Sequence, residues 1–166
     1  MESVRLAFIC TGNICRSPMA EVAARHLLEE DPLTRGRVTV SSAGTARWHV
    51  GEAMDPRARS ALDRAGYTGP GSLGAFADRD YLDQQDLVVV MTTEHRREVF
   101  SRLTSRHVRV ELARDLIGSL RGLDVADPYY GSSEDFDTCL AQLTEVGRCL
   151  RTEFRRRWGG ESSSAG

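Results

Sequence analysis

The sequence predicts a three-layer, doubly wound α/β domain built around a four-stranded parallel sheet. Three observations carry that expectation. Short apolar, β-branched runs alternate with amphipathic stretches along the chain, the order that gives a parallel sheet covered by helices. The run Leu87-Val88-Val89-Val90-Met91 shows no polar alternation, as a strand buried on both faces requires. At 166 residues, without repeats or a splitting linker, the chain is the size of one domain.

Taken in order, Leu6-Ala7-Phe8-Ile9 forms the first strand and ends at Cys10. Ser17 is expected as N-cap and Pro18 as first residue of a helix whose stripe is Met19, Ala20, Ala23, Ala24 and Leu27. Arg37–Ser42 is the second strand, leading into a glycine-bracketed loop that holds Trp48. Asp55 and Pro56 open the next helix, with Ala58, Ala61, Leu62 and Ala65 inward and Gly66 at its end. Residues 66–80 carry four glycines and Pro70, and are expected to be the most mobile loop. A helical turn near Asp80–Gln84 precedes the third strand, and a helix over 93–104 precedes a fourth through Val108, Val110 and Leu112. Residues 113–123 have room for a short helix. The last helix, 133–157, buries Phe136, Leu140, Leu143, Val146, Leu150 and Phe154. The domain is thus expected over 1–158, followed by a disordered Gly/Ser-rich tail over 159–166.

Net charge is −2, so no global field argues for nucleic acid or for a membrane surface. All 22 basic residues are arginine, which suggests a GC-rich, bacterial genome. The start MESVRLAFIC lacks a charged leader with a long apolar region, so a cytoplasmic protein with reduced thiols is expected. The four cysteines and four histidines show no zinc spacing, and no metal or cofactor is expected. Each histidine reads as surface or packing.

The chemistry concentrates between the first strand and first helix, in Cys10-Thr11-Gly12-Asn13-Ile14-Cys15-Arg16-Ser17-Pro18. A short loop feeding a helix N-terminus turns backbone N–H groups toward one point, where the helix dipole adds positive potential. A phosphate dianion fits such a cradle. Gly12 and Asn13 are the residue types that best tolerate the left-handed backbone it needs. Arg16 brings a planar fork of donors matched to phosphate oxygens. The same field favours Cys10 in its ionised, nucleophilic form. A buried structural cysteine beside a surface arginine is the plainer reading, but the strand before and Ser-Pro-helix after argue against it.

This loop resembles that of the low-molecular-weight protein tyrosine phosphatases, Cys-x-Gly-Asn-x-Cys-Arg-Ser-Pro, and most closely their bacterial members. The resemblance continues through Ser42-Ala43-Gly44-Thr45, Trp48-His49, Gly51 and Asp127-Pro128-Tyr129-Tyr130, to about Trp158. It implies the strand order 2-1-3-4, and hydrolysis of phosphotyrosine in proteins through a phosphocysteine on Cys10. Arg16 and the loop Thr11, Gly12, Asn13, Ile14, Cys15 and Ser17 would hold the phosphoryl group. Inorganic phosphate would occupy the same loop. Asp127 is the candidate acid for the departing phenol, although Asp-Pro is also an ordinary turn opener. Trp48, Tyr129 and Tyr130 would wall a slot for the phenyl ring, or else cap the core. Ile14 stands where related phosphoarginine phosphatases usually have threonine, which favours phosphotyrosine. Cys15 is either a partner for a reversible disulfide with Cys10 or a small buried residue.

Two departures stand out. Many members carry a histidine in the loop that here reads Gly69–Phe76, and an aspartate after the third strand, where this chain has Thr92. Both suggest a looser support for the phosphate loop. They keep open a phosphotyrosine-binding module with weak turnover. An arsenate reductase on the same fold would need a relay pair of cysteines, which the 66–91 stretch lacks.

Overall fold

A computed structural model of the chain describes residues 2–118 and 121–160. Strands β1 (Val4–Cys10), β2 (Val38–Gly44), β3 (Leu87–Val90) and β4 (Arg109–Leu112) form one parallel sheet in the order β2-β1-β3-β4. Helices α1 (Arg16–Glu30), α2 (Pro56–Arg64), α3 (Arg79–Asp83), α4 (Thr93–Arg102) and α5 (Ser133–Gly159) join them, with a 3-10 turn at Ala113–Ile117.

Side chains along each strand alternate between the faces, so two buried clusters form. Leu6, Phe8 and Cys10 of β1 join α1, α2 and α5 on one side. Ala7 and Ile9 join Val88 and Val90, Leu82 of α3 and Val99 of α4 on the other. Each fully buried leucine or phenylalanine contributes about 1.5–3 kcal/mol. Gly147 lets α5 approach α1, because a Cβ there would stand 2.9 Å from Leu27 Cδ1 and 3.5 Å from Ala24 Cα.

β1 pairs with β2 in one direction and β3 in the other, Cys10 lying opposite Gly44 and Ile9 opposite Val90. The chain reverses its winding at this point, and a crevice opens beyond the strand ends. Cys10 is therefore delivered to the mouth of that crevice by a central, largely buried strand of the sheet.

Helix ends differ from expectation: α2 closes at Arg64, leaving Ala65 exposed, and α4 closes at Arg102. α1 begins at Arg16, with Cys15 in the cap position and no side-chain cap. The Ser17 hydroxyl is engaged with Cys10 and Asn13 instead, so it cannot close the helix end. α5 continues to Gly159, because Phe154 and Trp158 stack at 5.3 Å and the Arg37 guanidinium lies 4.1 Å over the Trp158 ring. Gly159 thus closes a helix and does not open a tail; residues 161–166 of the expected tail lie outside the described residues.

Candidate active site

A cleft of about 250 Å³ opens over the end of β1, lined by Cys10, Thr11, Gly12, Ile14, Cys15, Arg16, Trp48, His49, Asp127, Tyr129 and Tyr130. Its floor is the loop between β1 and α1. Asn13 takes the left-handed conformation there, with φ 59°. From Gly12 to Ser17 no backbone N–H donates to another group among the described residues, which leaves these donors for an anion. Gly44, opposite Cys10, must lack a side chain: a Cβ would stand 2.5 Å from the Thr11 carbonyl oxygen.

Hydrogen bonds beneath the loop run in a fixed sense. Asn13 Oδ1 accepts from the Ala75 N–H at 3.0 Å, which sets the amide's orientation. Its Nδ2 then donates to Ser17 Oγ at 2.7 Å and to Ser42 Oγ at 2.9 Å. Ser17 Oγ, already an acceptor, lies 2.9 Å from Cys10 Sγ with its own proton free to donate to the sulfur. The Ser42 hydroxyl in turn donates a hydrogen bond to Glu21 Oε1 at 2.9 Å. Glu21 is wholly buried, and its other oxygen is held by Arg25 at 2.8 Å and by the Ser72 hydroxyl at 3.0 Å. Such a carboxylate is tolerable only when its lone pairs are filled in this way.

The support is therefore tighter than the absent histidine suggested. Ser72 and the Ala75 N–H, from the same 66–80 loop, act on Glu21 and Asn13. The second half of that loop is tied down further, Gly44 donating to Ala75 O and Ala77 to Gly44 O. Asn13 and Ser17, expected to meet substrate, have buried side chains that brace the loop from below.

Arg16 is 5% exposed and donates to Val125 O at 3.0 Å and, less closely, to Asp127 Oδ2 at 3.4 Å. Asp127 lines the same cleft as Cys10, and its Oδ1 accepts from Tyr129 N–H at 3.1 Å. Trp48 and Tyr130 are 73% and 94% exposed, so neither caps the core; with Ile14 and Tyr129 they wall the cleft.

Sequence reasoning missed two histidines. His49 lines the cleft against Gly12, its Nδ1 2.6 Å from Glu52. His95, in the first turn of α4, is buried with Nε2 2.8 Å from Thr11 Oγ1. Burial, aided by the Arg16 charge, pushes His95 down to about 4, so it supports the loop as a neutral ring. Nothing in Thr92-Thr93-Glu94-His95 marks that role. Glu21 did leave a signal, a lone carboxylate amid Met19, Ala20, Val22 and Ala23.

All four cysteines are free thiols. Burial pushes Cys15 up to about 12, with Asp55 adding to the effect, and pushes Cys139 to about 12. No cluster of three His, Cys, Asp or Glu able to hold a metal ion occurs among the described residues.

A thiol at the end of β1, a loop of open backbone N–H groups with Arg16, and the Asp127 carboxylate thus share one cleft. The family model for low molecular weight phosphotyrosine protein phosphatases matches residues 5–158. The chain belongs to this family. The phosphatase is 37% identical over 164 residues to a low molecular weight protein-tyrosine-phosphatase of Streptomyces coelicolor, covering 96% of this chain and 98% of the relative. Its fold matches the crystal structure of YfkJ from Bacillus subtilis with TM-score 0.84 at 27% identity, covering 95% and 98% of the two chains. It also matches YwlE of Bacillus subtilis, an arginine phosphatase caught as a mutant with a phosphorylated active-site serine, with TM-score 0.81 at 27% identity, covering 91% and 95%. The sheet order 2-1-3-4 expected from the resemblance is the order found. Among the described residues, no helix of the phosphatase is long and apolar enough to cross a membrane.

Proposed function

We propose that this phosphatase hydrolyses phosphotyrosine in proteins through a phosphocysteine, with Cys10 as nucleophile, Arg16 as phosphate clamp and Asp127 as acid and base. The observation that carries the reading is Cys10 Sγ on the cleft floor, 2.9 Å from the Ser17 hydroxyl, beneath a wall bearing Asp127. Arg16 and the free N–H groups take the three non-bridging phosphate oxygens. Cys10 sulfur attacks phosphorus as the P–O bond to tyrosine breaks, and protonated Asp127 gives its proton to the leaving oxygen. Asp127, now a carboxylate, accepts a proton from the water that attacks the phosphocysteine. The S–P bond breaks, inorganic phosphate departs, and the Ser17 proton steadies the returning thiolate.

Ile14 with Trp48, Tyr129 and Tyr130 favours a flat aromatic phosphate over phosphoarginine, the substrate that the relative YwlE's name indicates. The braced loop favours turnover over a binding module, and no cysteine of the 66–91 stretch is present to relay a disulfide for arsenate reduction. A cytoplasmic location suits an enzyme that works through a reduced thiol. The test is hydrolysis of phosphotyrosine, phosphoserine and phosphoarginine peptides by wild type and Cys10→Ser. Turnover should be fastest on phosphotyrosine and absent in Cys10→Ser. Residual turnover in that variant, or equal rates on phosphoserine, would sink the reading.

A further inference from the structure

The segment that carries Asp127 is held to the rest of the molecule by few bonds. Among the described residues, the hydrogen bonds leaving 126–131 for other elements are those of Asp127 with Arg16 and of Tyr129 with Arg57. Arg16 is also the phosphate clamp, so a bound phosphoryl group draws that guanidinium toward itself. The remaining tie is Arg57, whose Nη1 donates to the Tyr129 carbonyl at 2.8 Å. Tyr129 is the residue whose own N–H holds Asp127 Oδ1.

The other edge of the Arg57 guanidinium is fixed just as firmly. Nε and Nη2 donate to the two Asp55 oxygens at 3.1 and 2.9 Å. Asp55 in turn donates its backbone N–H to the Ile14 carbonyl of the phosphate loop at 2.9 Å. The guanidinium lies over the Tyr129 ring at 5.2 Å and over the buried Phe136 ring at 4.7 Å. A rigid planar fork bonded along both edges, with aromatic rings beside it, loses little freedom in holding this geometry. The path from Ile14 through Asp55, Arg57 and Tyr129 to Asp127 therefore links the loop under the phosphorus to the carboxyl group above the leaving oxygen.

We propose that Arg57 is a positioning residue for the acid step, setting the reach of Asp127 to the leaving-group oxygen once Arg16 is engaged by phosphate. It rests on the reading of Asp127 as the acid. The step it serves is one proton passed from Asp127 to the phenol oxygen as the P–O bond breaks. An acid misplaced by an ångström forfeits much of its advantage.

The test is kcat/KM, which reports the steps up to phenol departure, on phenyl phosphate and 4-nitrophenyl phosphate at several pH values. The variants are Arg57→Met, Asp127→Asn and the double variant. Methionine keeps apolar bulk between the rings and removes the bonds to Asp55 and Tyr129. Arg57→Met should lose about 10–100-fold on phenyl phosphate and less than about 3-fold on 4-nitrophenyl phosphate, whose phenol leaves without a proton. Its alkaline limb should flatten on phenyl phosphate, and adding it to Asp127→Asn should cost little more. If Arg57→Met does not fold, Asp55→Asn keeps the helix cap while loosening one anchor, and should show the same pattern at smaller amplitude. Equal losses on both substrates, or losses that add to those of Asp127→Asn, would make Arg57 a structural residue only and overturn the proposal. If Asp127→Asn itself does not separate the two substrates, the acid reading fails and the positioning role falls with it.

Discussion

At the scale of single residues, the site is built from side chains whose polarity is forced by their neighbours. Ala75 fixes the Asn13 amide, Asn13 fixes Ser17 as donor, and Ser17 presents its proton to Cys10. Burial holds Cys139 at about 12, so that thiol remains protonated at neutral pH. If Cys10 is the nucleophile proposed above, iodoacetate at pH 6 should label it far faster than Cys139, and inorganic phosphate should protect it. Equal labelling by mass spectrometry would contradict this. His95 gives a second prediction. The folded state holds it neutral down to about 4, whereas an unfolded histidine titrates near 6.5. Between those values the unfolded chain binds more protons, so its contribution is complete above 6.5 and is lost as pH falls toward 4. Denaturant titrations should show wild type losing up to about 3 kcal/mol more than His95→Gln over that window.

At the scale of elements, the end of β2 works as a backstop for the phosphate loop. Gly44 sits where any Cβ would meet the Thr11 carbonyl, the Gly12 carbon and Asn13 Cβ, the first two being backbone with nowhere to swing. Gly44→Ala should displace the loop, costing about 1–3 kcal/mol of stability and lowering kcat/KM more than tenfold. Chemical unfolding and steady-state rates together check this, and an unchanged rate would mean that the loop yields freely. The helices show the same dependence on partners. α1 starts without a side-chain cap because its first-turn serine is engaged with Cys10 and Asn13, whereas α2 and α4 are capped by Asp55 and Thr92.

At the scale of the whole molecule, the open N–H groups and Arg16 converge on one cleft built into the fold. Phosphate binding should therefore stabilise the native state by mass action. At 100 times its Kd it contributes about 2.7 kcal/mol, or roughly 5–10 °C in Tm for a domain of this size. Thermal scans with phosphate against an equal ionic strength of chloride measure the effect. Arg16→Met should lose most of it, and an unshifted Tm in wild type would argue against a preformed cradle.

Hydrophobic period, glycine placement and the Cys10–Pro18 run by themselves determined the strands, most helices, the phosphate-binding loop and the candidate nucleophile. These are local properties: a strand's inward face or a loop before a helix is written within a dozen residues. Helix ends were less legible, because whether Ser17 caps α1 depends on whether Cys10 competes for its hydroxyl. What only the tertiary structure decided are pairings between distant side chains. Thr11 meets His95 across 84 positions, Asn13 meets Ala75 across 62, and Arg57 meets Tyr129 across 72. The sequence places Thr11, Asn13 and Tyr129 at the candidate site and names none of these partners. Which polar group satisfies which is settled when the sheet order 2-1-3-4 gathers several loops at one edge, since a buried donor or acceptor must take its partner from whatever the fold brings within reach.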